Sequence, residues 1–284
     1  MCKTVLVTGA AGMIGSHTVQ RLLDTGFFVV GVDRCESSVR HENYSHYVVD
    51  LLDSDALKSV FESETIERVI HLAALAHTAG VKDLSFQTFY KANVLCSVNV
   101  FKSASANDVP VLFSSTVDVF GFTDGKAVCA DAPVSPVTAY GKTKALAEEE
   151  CKSICRRYAI FRFSPVYSQS IKRDIQKRYY LKFPDWAYII GKGSEYEVLN
   201  IDSAVDAIVE WCGREAENEI RIIKDPDRLK TVECLREEKR EGRAKHLLHF
   251  PRWLVKIGYF VLRVSGKNKF TYLLNKAVYP LRTE

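Results

Sequence analysis

The stretch Val5-Leu6-Val7-Thr8-Gly9-Ala10-Ala11-Gly12-Met13-Ile14-Gly15-Ser16 decides how the rest of the chain is read. Its apolar start has the look of a short strand, and the three glycines that follow are spaced three apart. A helical pattern of apolar residues begins inside the motif and continues to Leu23. Gly9 suits the tight turn, Gly12 lets backbone N–H groups approach a pyrophosphate, and Gly15 lets helix and strand pack closely. A glycine-rich turn alone is weak evidence; a strand before it and a helix after it make the motif specific.

The next apolar run, Phe27 to Val32, ends at Asp33, 18 residues beyond Gly15. An acid there accepts hydrogen bonds from the adenosine ribose hydroxyls of a dinucleotide and repels a 2′-phosphate, which favours NAD over NADP. Arg34 is the complication, since a guanidinium beside that acid can receive the phosphate.

Further apolar runs follow at Tyr47 to Val49, Val69 to Leu72, Val111 to Phe113 and Ala159 to Phe163. Between the runs lie helical spacings at Ser16 to Leu23, Ser54 to Phe61, Asn93 to Ala104 and Thr143 to Cys155. Runs this short with little alternation suit strands covered on both faces. Strand and helix in alternation predict an α/β fold, a Rossmann-type doubly wound parallel sheet whose ligands bind at the carboxyl ends of its strands. The pattern breaks near residue 165, so residues 1–165 are expected to form the cofactor-binding domain. Residues 166–284 are expected to form a small substrate lobe and a helical tail. The charge-dense segment from Asp225 to Lys245 is expected to be a solvated helix face.

Composition agrees with a folded globular chain: 284 residues, 47% hydrophobic and 26% charged. A net charge of +4 without a long basic block excludes a nucleic-acid groove and suits small anionic ligands. The eight cysteines contain no Cys-x-x-Cys pair, which predicts reduced thiols, no metal centre and a cytoplasmic protein. No export signal is expected ahead of the first strand. The longest apolar stretch, Trp253 to Val264, is interrupted by Lys256 and Arg263 and is too short for a bilayer span.

Tyr140 and Lys144 stand four apart at the opening of a helical segment and therefore share a face. Free tyrosine, with a pKa of about 10, is a poor base near neutrality. A neighbouring ammonium and a positive nicotinamide favour the phenolate, which can then take and return a hydroxyl proton. The fifth strand ends in Phe113-Ser114-Ser115-Thr116, and Thr116 is the expected donor to the substrate hydroxyl.

Together these motifs resemble the extended branch of the short-chain dehydrogenase/reductase family, the nucleotide-sugar epimerases, dehydratases and reductases, over roughly residues 3 to 210. The resemblance implies a catalytic set of Thr116, Tyr140 and Lys144, and NAD as cofactor. It implies a cofactor site drawn from Gly9, Ala11, Gly12, Met13, Ile14, Asp33, Arg34, Asp50, Leu51, Leu72, Ala73, Ala74, Asn93, Ser114, Tyr140, Lys144 and Phe163. By the same resemblance Asp50-Leu51 contacts adenine, His71-Leu72-Ala73-Ala74 lies beside the cofactor, and Asn93 supports the active site. Arg162 to Tyr167 is similar to the family's turn into the substrate lobe.

The chain also departs from the family pattern. Pro165 replaces an Asn, Ser168-Gln169 replaces Gly-Pro, Phe120 stands for the Tyr of Val-Tyr-Gly, and Asn200 stands for a His. Val117 and Asp118 occupy the positions where the family's 4,6-dehydratases carry Asp-Glu, so elimination of water is disfavoured. The reading that remains is oxidoreduction at a hexose carbon, C4 first, of a nucleotide sugar. A 4-epimerase leads, and a keto-sugar reductase or dehydrogenase and a non-catalytic NAD-binding protein stay as alternatives. In the tail, helical spacing sets Arg252, Lys256 and Arg263 apart from Trp253, Ile257, Phe260 and Val264. That pattern allows either packing over the lobe or peripheral membrane contact. A homodimer through the helices near Asn93 and Thr143 is a family-level expectation.

Overall fold

The computed structural model describes residues 3–76, 85–168, 173–181, 185–266 and 268–284; Cys2 and Gln169 lie outside them. Seven parallel strands form the central sheet: β1 Thr4–Thr8, β2 Phe28–Asp33, β3 Tyr44–Val48, β4 Arg68–His71, β5 Val111–Thr116, β6 Tyr158–Phe163 and β7 Glu219–Ile223. Their order is β7-β6-β5-β4-β1-β2-β3, a doubly wound sheet whose direction of winding reverses between β1 and β4.

Helices cover both faces. On one side α2 (Ser54–Ser63), α3 (Cys96–Ala106) and α4 (Ala139–Ile154) close a core that includes Leu57, Phe61, Phe101, Phe113 and Cys151. On the other, α1 (Met13–Asp24) and α5 (Ile201–Gly213) close a second core built on Val19, Leu22, Ile70, Phe161 and Trp211. Burial on both faces explains why the central strands read as unbroken apolar runs.

Two expectations shift. The third strand begins earlier, at Tyr44, because it is the sheet's edge and is half solvated, so its apolar run marks only the far end. The bare Cα of Gly31 on β2 admits Tyr44, whose hydroxyl lies 2.2 Å from where a Cβ would stand. The sheet also crosses the expected boundary at 165. The chain leaves after Phe163, and α5 and β7 then return to the Rossmann layers, with Glu219–Ile223 pairing along Ala159–Phe163. Short apolar β7 is an outer strand with partly exposed side chains, a weak signal by periodicity.

Outside the sheet, Ile175, Tyr179, Ala187, Tyr196, Val198 and Leu235 make a small separate core, the last from α6 (Thr231–Arg240). Paired strands Trp186–Ile190 and His246–Phe250 lead into the tail helices α7 (Arg252–Val264) and α8 (Asn268–Val278). Arg282–Thr283 then pairs with Ala127–Val128, which places the tail beside the loop that follows β5. The cysteines at 35, 96, 129, 151, 155, 212 and 234 are free thiols. Among the described residues no group of three His, Cys, Asp or Glu is placed to hold a metal ion, and no helix is long and apolar enough to cross a membrane.

Candidate active site

The glycine turn lies at the carboxyl end of β1, in the middle of the sheet. Gly9 has φ +70, and a Cβ there would stand 2.8 Å from the Ala73 nitrogen, so turn and β4 loop meet backbone to backbone. A Cβ on Gly15 would fall 1.9 Å from the Gly9 oxygen, which is why the first turn of α1 needs glycine. Gly12 caps α1 without any side-chain hydrogen bond, and the first turn carries no acid. The N–H groups of Met13 and Ile14 therefore stand at a helix N-terminus that an anion can satisfy. Asp33 faces this turn: the Ala11 N–H donates to its Oδ2 (3.1 Å) and the Cys35 N–H to its Oδ1 (3.1 Å). Both carboxylate oxygens keep lone pairs for ribose hydroxyls. The residues present thus fit a dinucleotide with a free 2′-hydroxyl.

Around this turn the remaining predicted contacts collect unevenly. Leu51 is buried, and Asp50 is exposed and accepts from the Leu52 N–H. Arg34 is exposed on the same edge; burial and the Asp50 charge push the Cys96 thiol up to about 11, and Arg34 opposes them. Leu72 and Ala73 are half-buried and Ala74 is exposed on the loop after β4. Ser114 is buried and donates to the His71 carbonyl (3.0 Å). Phe163 is buried at the end of β6, level with Thr116.

A buried relay that the sequence does not announce links these parts. Ser97 Oγ donates to the Asn93 carbonyl (2.6 Å) and lies 2.8 Å from His71 Nε2, whose other nitrogen lies 2.6 Å from Thr8 Oγ1. With the serine proton spent, His71 carries its own on Nε2 and accepts from Thr8. Burial, reinforced by the Lys144 charge, drops the His71 pKa to about 3, so the ring is neutral. Asn93 is fully buried in a π-helical turn, Lys91–Leu95, and its amide holds Leu75 N–H (2.6 Å), Leu75 carbonyl (3.2 Å) and Thr143 Oγ1 (3.1 Å). Such turns recur where a helix must re-aim a side chain. Here the turn ties the β4 loop to α4.

Helix α4 carries Tyr140 in its first turn and Lys144 one turn later. Thr138 caps it through Gly141 N–H (3.0 Å), and a Cβ on Gly141 would stand 2.8 Å from the Asp118 carbonyl oxygen. That close approach seats the start of α4 on the turn Val117–Phe120 that follows Thr116. Thr116 Oγ1 accepts from the Asp118 N–H (3.2 Å), which leaves its O–H as a donor. Tyr140 is half-buried, whereas Lys144 is fully buried with Nζ 4.0 Å from the Phe113 ring centroid. Burial lowers the Lys144 pKa to about 7, while Glu148 pulls the other way.

Glu148 is itself buried and committed. Its carboxylate accepts from Arg162 at both oxygens (3.0 and 2.6 Å) and from Ser115 Oγ (2.5 Å). Arg162 also donates to the Ala130 carbonyl (2.7 Å). No local spacing in the sequence announces this pair, which joins a helix to a strand 14 residues on.

Beyond Thr116 opens a cavity bounded by Asp118, Pro165, Arg178, Tyr196 and Lys276. Asp118 receives Lys276 Nζ (2.5 Å) and the Tyr272 hydroxyl (3.4 Å), both from α8. Arg178 lies against the Tyr196 ring (4.4 Å), and its buried Nε has no hydrogen-bond partner among the described residues. The tail therefore supplies walls of this cavity, which helical spacing alone did not reveal.

The model of the NAD dependent epimerase/dehydratase family matches residues 5–212. A UDP-glucose 4-epimerase of Cyamopsis tetragonoloba is 36% identical over 168 residues, covering 54% of this chain and 48% of that protein. The UDP-glucose 4-epimerase of Drosophila melanogaster is 32% identical over 188 residues, covering 57% and 53%. The chain spans about half the length of the curated relatives it matches. Among solved structures, the UDP-Glc/GlcNAc 4-epimerase of Campylobacter jejuni superposes with a TM-score of 0.75 at 18% identity, covering 88% of this chain and 87% of that one. The UDP-glucuronic acid 4-epimerase of Bacillus cereus in complex with NAD gives 0.71 at 23% identity, covering 87% and 89%. These likenesses confirm the doubly wound fold, and the family match over most of the chain, on a glycine turn and an Asp33 that fit the dinucleotide, leaves one conclusion: the chain belongs to the NAD dependent epimerase/dehydratase family.

Proposed function

We propose that this chain oxidises and re-reduces one hexose carbon, C4, of a nucleotide sugar and so acts as a nucleotide-sugar 4-epimerase. The observation that carries the reading is Lys144, a fully buried ammonium one helical turn from half-buried Tyr140, on a helix that Asn93 ties to the β4 loop, the loop whose Ala73 meets Gly9 of the glycine turn. The relatives' names as UDP-glucose 4-epimerases support it and make a UDP-sugar the first substrate to try.

NAD, when bound by Met13, Ile14 and Asp33, supplies the hydride acceptor and donor. Tyr140 takes the proton from the substrate hydroxyl and later returns it. Thr116 donates a hydrogen bond to the same oxygen and holds it in line. Lys144 favours the phenolate of Tyr140 through its charge. Asp118 is the carboxylate two residues past Thr116, and Lys276 and Tyr272 already occupy it. That commitment argues against a second acid-base step and hence against loss of water. Arg178, which lines the same cavity, offers positive charge to the nucleotide's phosphates.

The division of labour follows: residues 1–165, with the return of α5 and β7, hold the cofactor, and the lobe and tail hold the sugar nucleotide. A cytoplasmic setting and a homodimer through α3 and α4 belong to the same proposal. The test is purified chain with UDP-, GDP- and dTDP-sugars, with and without added NAD or NADH. Epimer formed without net cofactor turnover is expected; a stoichiometric change in NADH absorbance overturns the epimerase reading in favour of a reductase.

A further inference from the structure

Helix α7 has two apolar faces. Tyr259 is buried inward, where its hydroxyl donates to Asp124 (2.6 Å). Outward, Trp253, Ile257, Phe260, Val261 and Val264 follow the spacing of one helical stripe and are 52 to 76% exposed. Leu254 beside them and Leu273 from α8 are exposed as well. An apolar stripe of this size left to water is costly, and it marks a docking surface.

Charge says what docks. Residues 251–283 contain seven Lys or Arg and no Asp or Glu. The two that flank the stripe keep their charge unneutralised by their described partners. Arg252 donates to the Gly193 carbonyl (2.9 Å) and to Ser194 Oγ (3.3 Å), and Lys256 lies over the Tyr279 ring (5.6 Å). A second copy of this chain meeting the same face would set these cations against their own counterparts. An anionic lipid headgroup layer would instead meet them with opposite charge while the stripe enters the acyl boundary.

We propose that the outer face of α7 is a peripheral membrane anchor that lies flat on an anionic bilayer surface. Its apolar row, Trp253 to Val264, sits at the depth where Trp and Phe prefer to be, and Arg252 and Lys256 sit at headgroup level.

The test is sedimentation of the full chain with phosphatidylcholine vesicles, with and without phosphatidylserine, alongside tryptophan emission in a Trp186→Phe background, where Trp253 is followed against the constant signal of buried Trp211. Binding and a blue shift with the anionic vesicles alone are expected, reversed at about 1 M salt, where the screening length is about 3 Å. Phe260→Ser with Val264→Ser should weaken partitioning at least tenfold. Lys256→Glu, which reverses a charge worth about fivefold when removed, should weaken it more than fivefold. Both changes lie on the solvent side, so an unchanged thermal transition and unchanged NAD binding check the fold. Equal absence of binding to both vesicles at low salt overturns the proposal. So does a protein dimer that the Phe260→Ser, Val264→Ser change dissolves, since the face would then be covered by a second copy.

Discussion

Lys144 rests with its ammonium 4.0 Å over the ring of Phe113, so the cation that the proposed chemistry needs is held by a π-face and by the field of Glu148. Holding it there carries a cost in stability. In the fold its pKa is about 7, against 10.5 for the exposed group. Between those values the unfolded chain keeps a proton that the fold releases, so stability rises with pH across that window. Below about 7 both states are protonated and the penalty of burying the charge is complete. Lys144→Met should therefore be more stable than the parent by its widest margin under pH 7, with the margin narrowing toward pH 10.5. Melting curves of the two proteins across that range measure it; a margin independent of pH contradicts the buried ammonium.

Removing only the phenolic oxygen isolates the chemical step. Tyr140→Phe should retain the melting temperature and NAD affinity of the parent while turnover on the best nucleotide sugar drops about 100- to 10,000-fold. Unchanged turnover refutes Tyr140 as the proton carrier.

Glu148 and Arg162 are 1% and 2% exposed and bond through two contacts. Taking away one partner strands the other charge in the core. Glu148→Gln should cost about 3–5 kcal/mol in urea unfolding, and the loss should shrink when Arg162→Met is added. An additive double variant means that the two side chains do not depend on each other.

Asp33 separates the two dinucleotides by charge. Asp33→Asn keeps an oxygen for the Ala11 N–H but loses the anion, so NAD binding should weaken about tenfold or more, as expected for a charged hydrogen bond, and NADP should gain relative to it. Titration of both cofactors against both proteins gives the ratio, and an unaltered preference assigns discrimination to Arg34 instead.

Much of this was legible in the chain because the responsible signals are local. The strand, the glycines and Asp33 lie within one βαβ unit, and Tyr140 and Lys144 within one helical turn, so spacing alone brings them together. Elements joined across the sheet were harder to read. Glu219–Ile223 contributes a strand to the Rossmann sheet from beyond the expected boundary, since its outer position leaves it little of the central strands' burial. The relay from Thr8 through His71 and Ser97 to Asn93 spans residues 8 to 97: its Ser97–Asn93 bond is local to one helical run, but Thr8 meets His71 only through the register of β1 on β4, and His71 meets Ser97 only where the helix packs on the sheet. The partners of Asp118 come from α8, more than 150 positions later, where the spacing of Tyr272 and Lys276 reads simply as an amphipathic helix.

Asp124 stands just past the turn that Thr116 begins, and it gathers the Tyr259 hydroxyl, the Arg263 guanidinium (2.8 Å) and the Asn275 amide (2.8 Å) from both tail helices. Burial works against that carboxylate's charge, yet these donors hold its pKa below the usual carboxylate value. Both tail helices are thereby buckled to the loop beside the candidate site. A protein clipped ahead of Tyr259 would still present its dinucleotide cradle, yet it would lose the strap that steadies the wall of the proposed sugar pocket. Damage to the tail would then register as poor turnover in an otherwise cofactor-competent molecule.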